Sequence, residues 1–287
     1  MKPYLLLAGI LLAAACHPVP ESQPVFTLDR VLQVEGRQGV AADSSYYYVS
    51  GSTVLYKYDK SGNLVASNEH PFDSLALTCN HIGDIDVESG EIYAGCEYFM
   101  DGVGKNIQVA VYDAETLMYK YSIPWEPASG QVECCGLAVD RDNGHVWMAD
   151  WVNGSALYCY GLSSRKYLKK IELDPAPALQ QGIFCRNGRM LISADDGDAE
   201  KKEPDHLYVC NLSDGKVSLL RTMDDFLLTG EIEGLCMDPA TDELVVLSNR
   251  GARIILGMPR GFYPGYTEEI HNLYIYSSTA PAKVSGQ

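Results

Sequence analysis

CCGLAVDRDNGHVWMAD, Cys134 to Asp150, reads as two short apolar strands joined by a tight turn. Asp142-Asn143-Gly144 supplies the residues that tolerate the backbone angles of a hairpin turn. Four other stretches repeat its first half: RQGVAAD from Arg37, HIGDIDV from His81, QQGIFC from Gln180 and IEGLCMD from Ile232. Each is followed by a polar turn and a second strand, YYYVSG, EIYAGC, RMLISA and ELVVLS respectively. The shared glycines Gly39, Gly83, Gly136, Gly182 and Gly234 lie 44 to 53 residues apart. That period belongs to propeller blades.

A third strand with aromatics at matching places follows in every unit: LYKY, VAVY, LYCY, LYVC and LYIY. A fourth follows in the first four units as NLVASN, MYKYSI, KYLKKI and KVSLL, with the β-branched and aromatic content of half-buried strands. After Tyr276 the fifth unit lacks its fourth strand, whereas VFTLDRVLQV, Val25 to Val34, precedes the first unit unpaired. Joining the two ends closes a ring and removes its exposed edges. The expected fold is therefore all-β, a five-bladed β-propeller closed by the N-terminal strand. Six blades are the alternative, since Arg253 to Thr267 contains IILGM and could add strands. This pattern resembles the NHL, YWTD and SMP-30/gluconolactonase-like propellers in architecture across nearly the whole chain.

If each glycine strand is innermost, its start and the end of the second strand meet on one face. The residues expected to converge there for ligand binding are Arg37, His81, Trp151, Gln180, Glu231 and Arg250, with Tyr263 on the loop RGFYPGY. Pairing across the hairpins sets Gln181 near Ala194 and Glu233 near Ser248. Glu231 and Glu233 point the same way along their strand. The gluconolactonase resemblance implies a divalent cation, Ca²⁺ or another, held by a glutamate before glycine, an asparagine and an aspartate. Glu233, Asn249 and Asp150 match those residue types. Cys134-Cys135 with His81 invites a thiol-nucleophile or zinc reading, but no second CxxC pair accompanies it. A disulfide from Cys96 to Cys134 or Cys135, or two inert thiols, are the plainer alternatives. No pattern singles out a catalytic group.

The chain has 287 residues, with 22 basic and 38 acidic side chains and a net charge of −16. That balance argues against a nucleic-acid partner, because a basic face supplies most of such affinity. Lys2 precedes the apolar run LLLAGILLAAAC, Leu5 to Cys16, which has the layout of an export signal and is too short to span a bilayer. Small residues before a cysteine resemble the lipobox of bacterial lipoproteins. The resemblance implies cleavage before Cys16, lipidation of its sulfur and an extracytoplasmic, membrane-anchored chain in the periplasm or at the cell surface. The expected organisation is a signal peptide over 1–15, a tether over 16–24, the propeller over 25–278 and a tail over 279–287. The leading functional expectation is a binding or interaction module whose mouth takes a glycan, peptide or protein partner. The alternative is a metal-dependent hydrolase of lactones or other esters.

Overall fold

The computed structural model describes residues 24–279, apart from 152–153, 227–228 and 256–257. The expected signal peptide and Cys16 lie outside the described residues, as do 280–287 of the expected tail. Among the described residues, no helix is long and apolar enough to cross a membrane.

Five four-stranded antiparallel sheets form the blades. Blade 1 runs outward through Gly39–Ala42, Tyr46–Ser50, Leu55–Asp59 and Leu64–Asn68. Blade 2 contains His81–Glu88, Glu91–Met100, Val103–Asp113 and Tyr119–Pro124. Blade 3 contains Gly136–Asp140, His145–Ala149, Ala156–Gly161 and Tyr167–Glu172. Blade 4 contains Gln180–Arg186, Arg189–Ala194, His206–Asn211 and Val217–Thr222. Blade 5 contains Gly230–Met237, Leu244–Arg250 and Ile270–Thr279, and the N-terminal strand Val25–Val34 completes it from outside. Val25 pairs with Thr279 and Val34 with His271, so the two ends of the chain close the ring as expected. The segment that suggested a sixth blade is a two-stranded hairpin, Ala252–Ile255 with Met258–Phe262.

Inner strands of successive blades touch, and that of blade 5 returns to blade 1. The apolar core therefore lies between blades rather than under one sheet. Tyr48, Ile82 and Tyr112 join blades 1 and 2, and Leu137, Met148 and Tyr160 help join blades 2 and 3. All eight cysteines among the described residues are buried free thiols. The inert-thiol alternative is what the structure shows.

The recurring glycines mark where the inner strands crowd the axis. A Cβ on Gly83 would lie 2.6 Å from the Cys134 carbonyl oxygen, and one on Gly182 would lie 2.5 Å from the Gly234 Cα. Only glycine permits such backbone approach. In the middle of this crowd sits Asp84, 1% exposed. Its Oδ1 accepts the Ile85 N–H at 2.9 Å, and its Oδ2 accepts those of Ile183 at 3.0 Å and Leu137 at 3.5 Å. One carboxyl group thus ties together the inner strands of blades 2, 3 and 4. The axis is plugged, and what opens on either side is a funnel rather than a tunnel.

The register of the inner hairpins shifts between Ile82 and Ile85, Gln180 and Ile183, and Ile232 and Leu235. Such bulges add a residue to one strand and re-aim its neighbours. They correct the simple pairing: Gln180 rather than Gln181 lies opposite Ala194, and Ile232 rather than Glu233 lies opposite Ser248.

Candidate functional site

On the face where inner strands begin, a cavity of about 300 Å³ opens over the axis. Four of the expected ligand residues line it: Arg37, His81, Trp151 and Glu231. Glu233 lines it as well, with Gln38, Ser52, Asn80, Phe99, Glu133, Cys135, Gln181 and Pro259. Gln180 is not among them. The bulge turns it inward, where its amide donates to the Gly154 carbonyl at 2.9 Å, and Gln181 takes its place at the cavity. Arg250 pairs with Gly230 and Ile270 at the strand ends and does not line the cavity. Tyr263 lines a neighbouring acidic recess with Asp195, Asp205 and Glu231, and the Arg253 guanidinium lies 5.0 Å from its ring centre.

Glu133, Glu231 and Glu233 stand in the wall, and Glu97 is buried behind Glu133. At the junction of blades 2 and 3, the Glu97 carboxylate accepts the Cys134 N–H at 3.1 Å and a hydrogen bond from Glu133. Glu133 in turn accepts the Trp151 backbone N–H at 2.7 Å. Burial pushes Glu97 up to about 7, and burial together with the neighbouring Glu97 pushes Glu133 well above the ordinary carboxylate range. The pair holds a proton at neutral pH. In blade 5, Glu231 and Glu233 are likewise raised by burial, Glu233 further by Glu231, while the Arg37 guanidinium opposes the shift of both. Arg37 stands 3.5 Å from Glu231 and 3.0 Å from Glu269.

His81 places Nδ1 3.3 Å from Glu97 Oε1, and burial pushes it down to about 4. It is therefore a neutral imidazole near pH 7. Its ring lies 5.6 Å from that of Phe99, which lies 6.3 Å edge-on from Trp151. Trp151 is 9% exposed, and its buried indole N–H has no hydrogen-bond partner among the described residues.

The cation set suggested by the sequence is only partly assembled. Asn249 donates to Glu233, and its Oδ1 accepts the Glu231 N–H at 3.3 Å. Asp150 accepts the N–H groups of Val132 and Glu133 on one oxygen and the Tyr158 hydroxyl on the other, at 3.0 Å. The oxygens that Asn249 and Asp150 would give a cation are thus engaged by protein donors, and the three residues do not form a ready ligand set. Among the described residues, no group of three or more His, Cys, Asp or Glu side chains is arranged to hold a metal. Cys135 donates to the Ala149 carbonyl at 3.3 Å, and burial followed by Glu133 pushes its thiol up, away from the thiolate a nucleophile needs.

Glu97, Glu133 and Phe99 were the informative residues that the sequence pattern left out of its ligand-binding set. Glu97 follows the apolar run of its second strand, and Glu133 precedes a glycine strand, so both stand at the mouth end of blade strands. That position was the available signal.

These shifts carry a stability prediction. Glu97 and Asp205, both raised to about 7, stabilise the fold most below their unfolded values near 4.5 and 3.8, and that stabilisation is lost as pH rises through 7. His81 works in the opposite sense: its contribution is complete above 6.5 and is lost as pH falls toward 4. Carboxyl groups outnumber the imidazole, and Glu133, Asp195 and Glu233 are raised further still. The thermal midpoint is expected to be higher at about pH 5.5 than at about pH 8. A midpoint that rises steadily over that interval would contradict the proton-holding carboxyls.

No protein-family model matches the chain, and no curated protein matches it. Among solved structures, a chain of Kuenenia stuttgartiensis hydrazine synthase is similar at 10% identity and a TM-score of 0.46, over 92% of this chain. This chain spans 66% of that chain's length. A likeness of that degree adds nothing to the fold already described.

Proposed function

We propose that this propeller is an extracytoplasmic, lipid-anchored binding module whose axial mouth takes the terminal sugar of a glycan. The observation that supports the reading best is the composition of the cavity wall. Trp151 and Phe99 offer aromatic surface, while Gln38, Ser52, Asn80 and Gln181 offer hydroxyl and amide groups around about 300 Å³. Concave sites of this size with a few convergent polar groups suit one small ligand or one end of a larger one.

The closed ring supports a rigid site, because the wall residues lie in strands or within three residues of a strand end. Anchoring through Cys16 follows from the lipobox resemblance. One experiment tests both halves of the proposal. Full-length protein is expected to sediment with membranes and bind at least one immobilised glycan. Trp151→Ala should weaken that binding at least about tenfold, as loss of an aromatic anchor does. Cys16→Ser should move the chain to the soluble fraction with binding intact. Glycan binding untouched by Trp151→Ala would overturn the site, and unchanged sedimentation of Cys16→Ser would overturn the anchor.

A further inference from the structure

The two carboxyl pairs at the mouth are not electrically equivalent. In a five-membered ring, the junction of blades 2 and 3 lies across the axis from blade 5. Glu133, with Glu97 buried behind it, therefore faces Glu231 and Glu233 over the same cavity. The blade 5 pair has a cation beside it, since Arg37 bridges Glu231 and Glu269. Among the described residues the opposite pair has none, and the basic side chain in contact with it is His81, which is neutral. Buried carboxyls without a counter-charge are costly to ionise, and this pair meets the cost by holding a proton.

A ligand cation would supply what the wall lacks, and the groups around it say what else that ligand carries. Phe99 and Trp151 flank the uncompensated pair, and an aromatic face favours an adjacent ammonium. Gln38, Ser52, Asn80 and Gln181 line the same cavity and offer partners for hydroxyl groups. An ammonium and hydroxyl oxygens on one compact ring describe an amino sugar. We propose that the mouth selects a hexosamine with a free, protonated amino group, its ammonium set against Glu133. This rests on the reading of the mouth as a sugar site and narrows it. Acetylation of the amine removes the charge, adds bulk within a small cavity and leaves the carboxyl pair as it was. The net charge of −16 also draws cationic chains toward the protein.

The test is titration calorimetry of the full chain with a β-1,4-linked glucosamine tetramer, its N-acetylated counterpart and a glucose tetramer. At about pH 5.5, where the sugar amines are protonated, the glucosamine oligomer is expected to bind at least about tenfold more tightly than either neutral one. Its binding should release a proton as the shared one leaves Glu133, seen as a heat that depends on the ionisation enthalpy of the buffer. Glu133→Gln keeps an acceptor for the Trp151 backbone N–H and should bring the preference close to one. Equal binding of the acetylated or glucose oligomer would overturn this inference and leave the sugar reading standing. No sugar binding at all would remove both. A preference that survives in Glu133→Gln, or binding of the glucosamine oligomer without proton release, would show that surface charge attracts the oligomer and would overturn the assignment to this pair. Proton release is read on the wild-type chain, so the test holds even if Glu133→Gln folds poorly.

Discussion

Gly234→Ala is expected to lower the thermal midpoint by roughly 6–12 °C, from a loss of about 3 kcal/mol. The new methyl would meet the Asp84 carboxylate and come within 2.7 Å of the Gly39 Cα and 2.8 Å of the Val40 nitrogen. Two of those three neighbours are backbone of another blade, so relief requires the inner strands of blades 1 and 5 to part. Gly234→Val should leave the chain insoluble, because its extra carbons have nowhere to go. Gly90→Ala provides the contrast. Gly90 sits in a turn at φ +77°, with no heavy atom within 4 Å of the position a Cβ would take. Its replacement costs only the left-handed backbone strain, about 1 kcal/mol. A midpoint for Gly234→Ala equal to that of Gly90→Ala would show that the axis has slack that the structure lacks.

Asp84→Ala should cost about 4 kcal/mol, the largest effect expected of any polar side chain here. Removing the carboxyl leaves the N–H groups of Ile85 and Ile183, and the more distant one of Leu137, facing a dry void. A buried donor stripped of its acceptor costs its full desolvation, roughly 1–3 kcal/mol each. Asp84→Asn should fall between Asp84→Ala and wild type. The amide keeps the shape and one acceptor oxygen, but both carboxyl oxygens accept backbone N–H groups, so its NH2 must face one of those donors. Urea denaturation of the three proteins measures the order. Asp84→Ala within 1 kcal/mol of wild type would mean that the plug contributes nothing.

The ring was legible in the sequence because its cause is local and repeated. Each blade needs a glycine at the axis, a turn after the inner strand and aromatics on the third strand, and each leaves a mark at a fixed offset. Closure was legible for the complementary reason: the fifth unit lacked one strand and the N-terminus had one to spare. The site was read less completely. Arg37, His81, Trp151, Glu231 and Glu233 were placed from strand ends alone. Gln180 gave way to Gln181 because a bulge, which depends on crowding between blades, reverses which neighbour faces the cavity. Arg250 and Tyr263 sit where a hairpin that strand counting treats as loop directs them. The Asp84 plug had a visible signal, an acid in HIGDIDV where the other units carry Val40, Leu137, Ile183 and Leu235. Its meaning comes only from three blades converging on it, and no single repeat contains that fact.

The closing strand enters at Val25 beside Thr279 and runs toward the end of blade 5 where His271 and Arg250 stand. Both described ends of the chain therefore emerge on the side away from the cavity. Whatever holds this protein by its N-terminus holds it from behind, so the support casts no shadow on the opening. Under the proposed anchoring, the same strand is both the stalk and the clasp of the ring, so that a pull on the stalk would be a pull on the clasp.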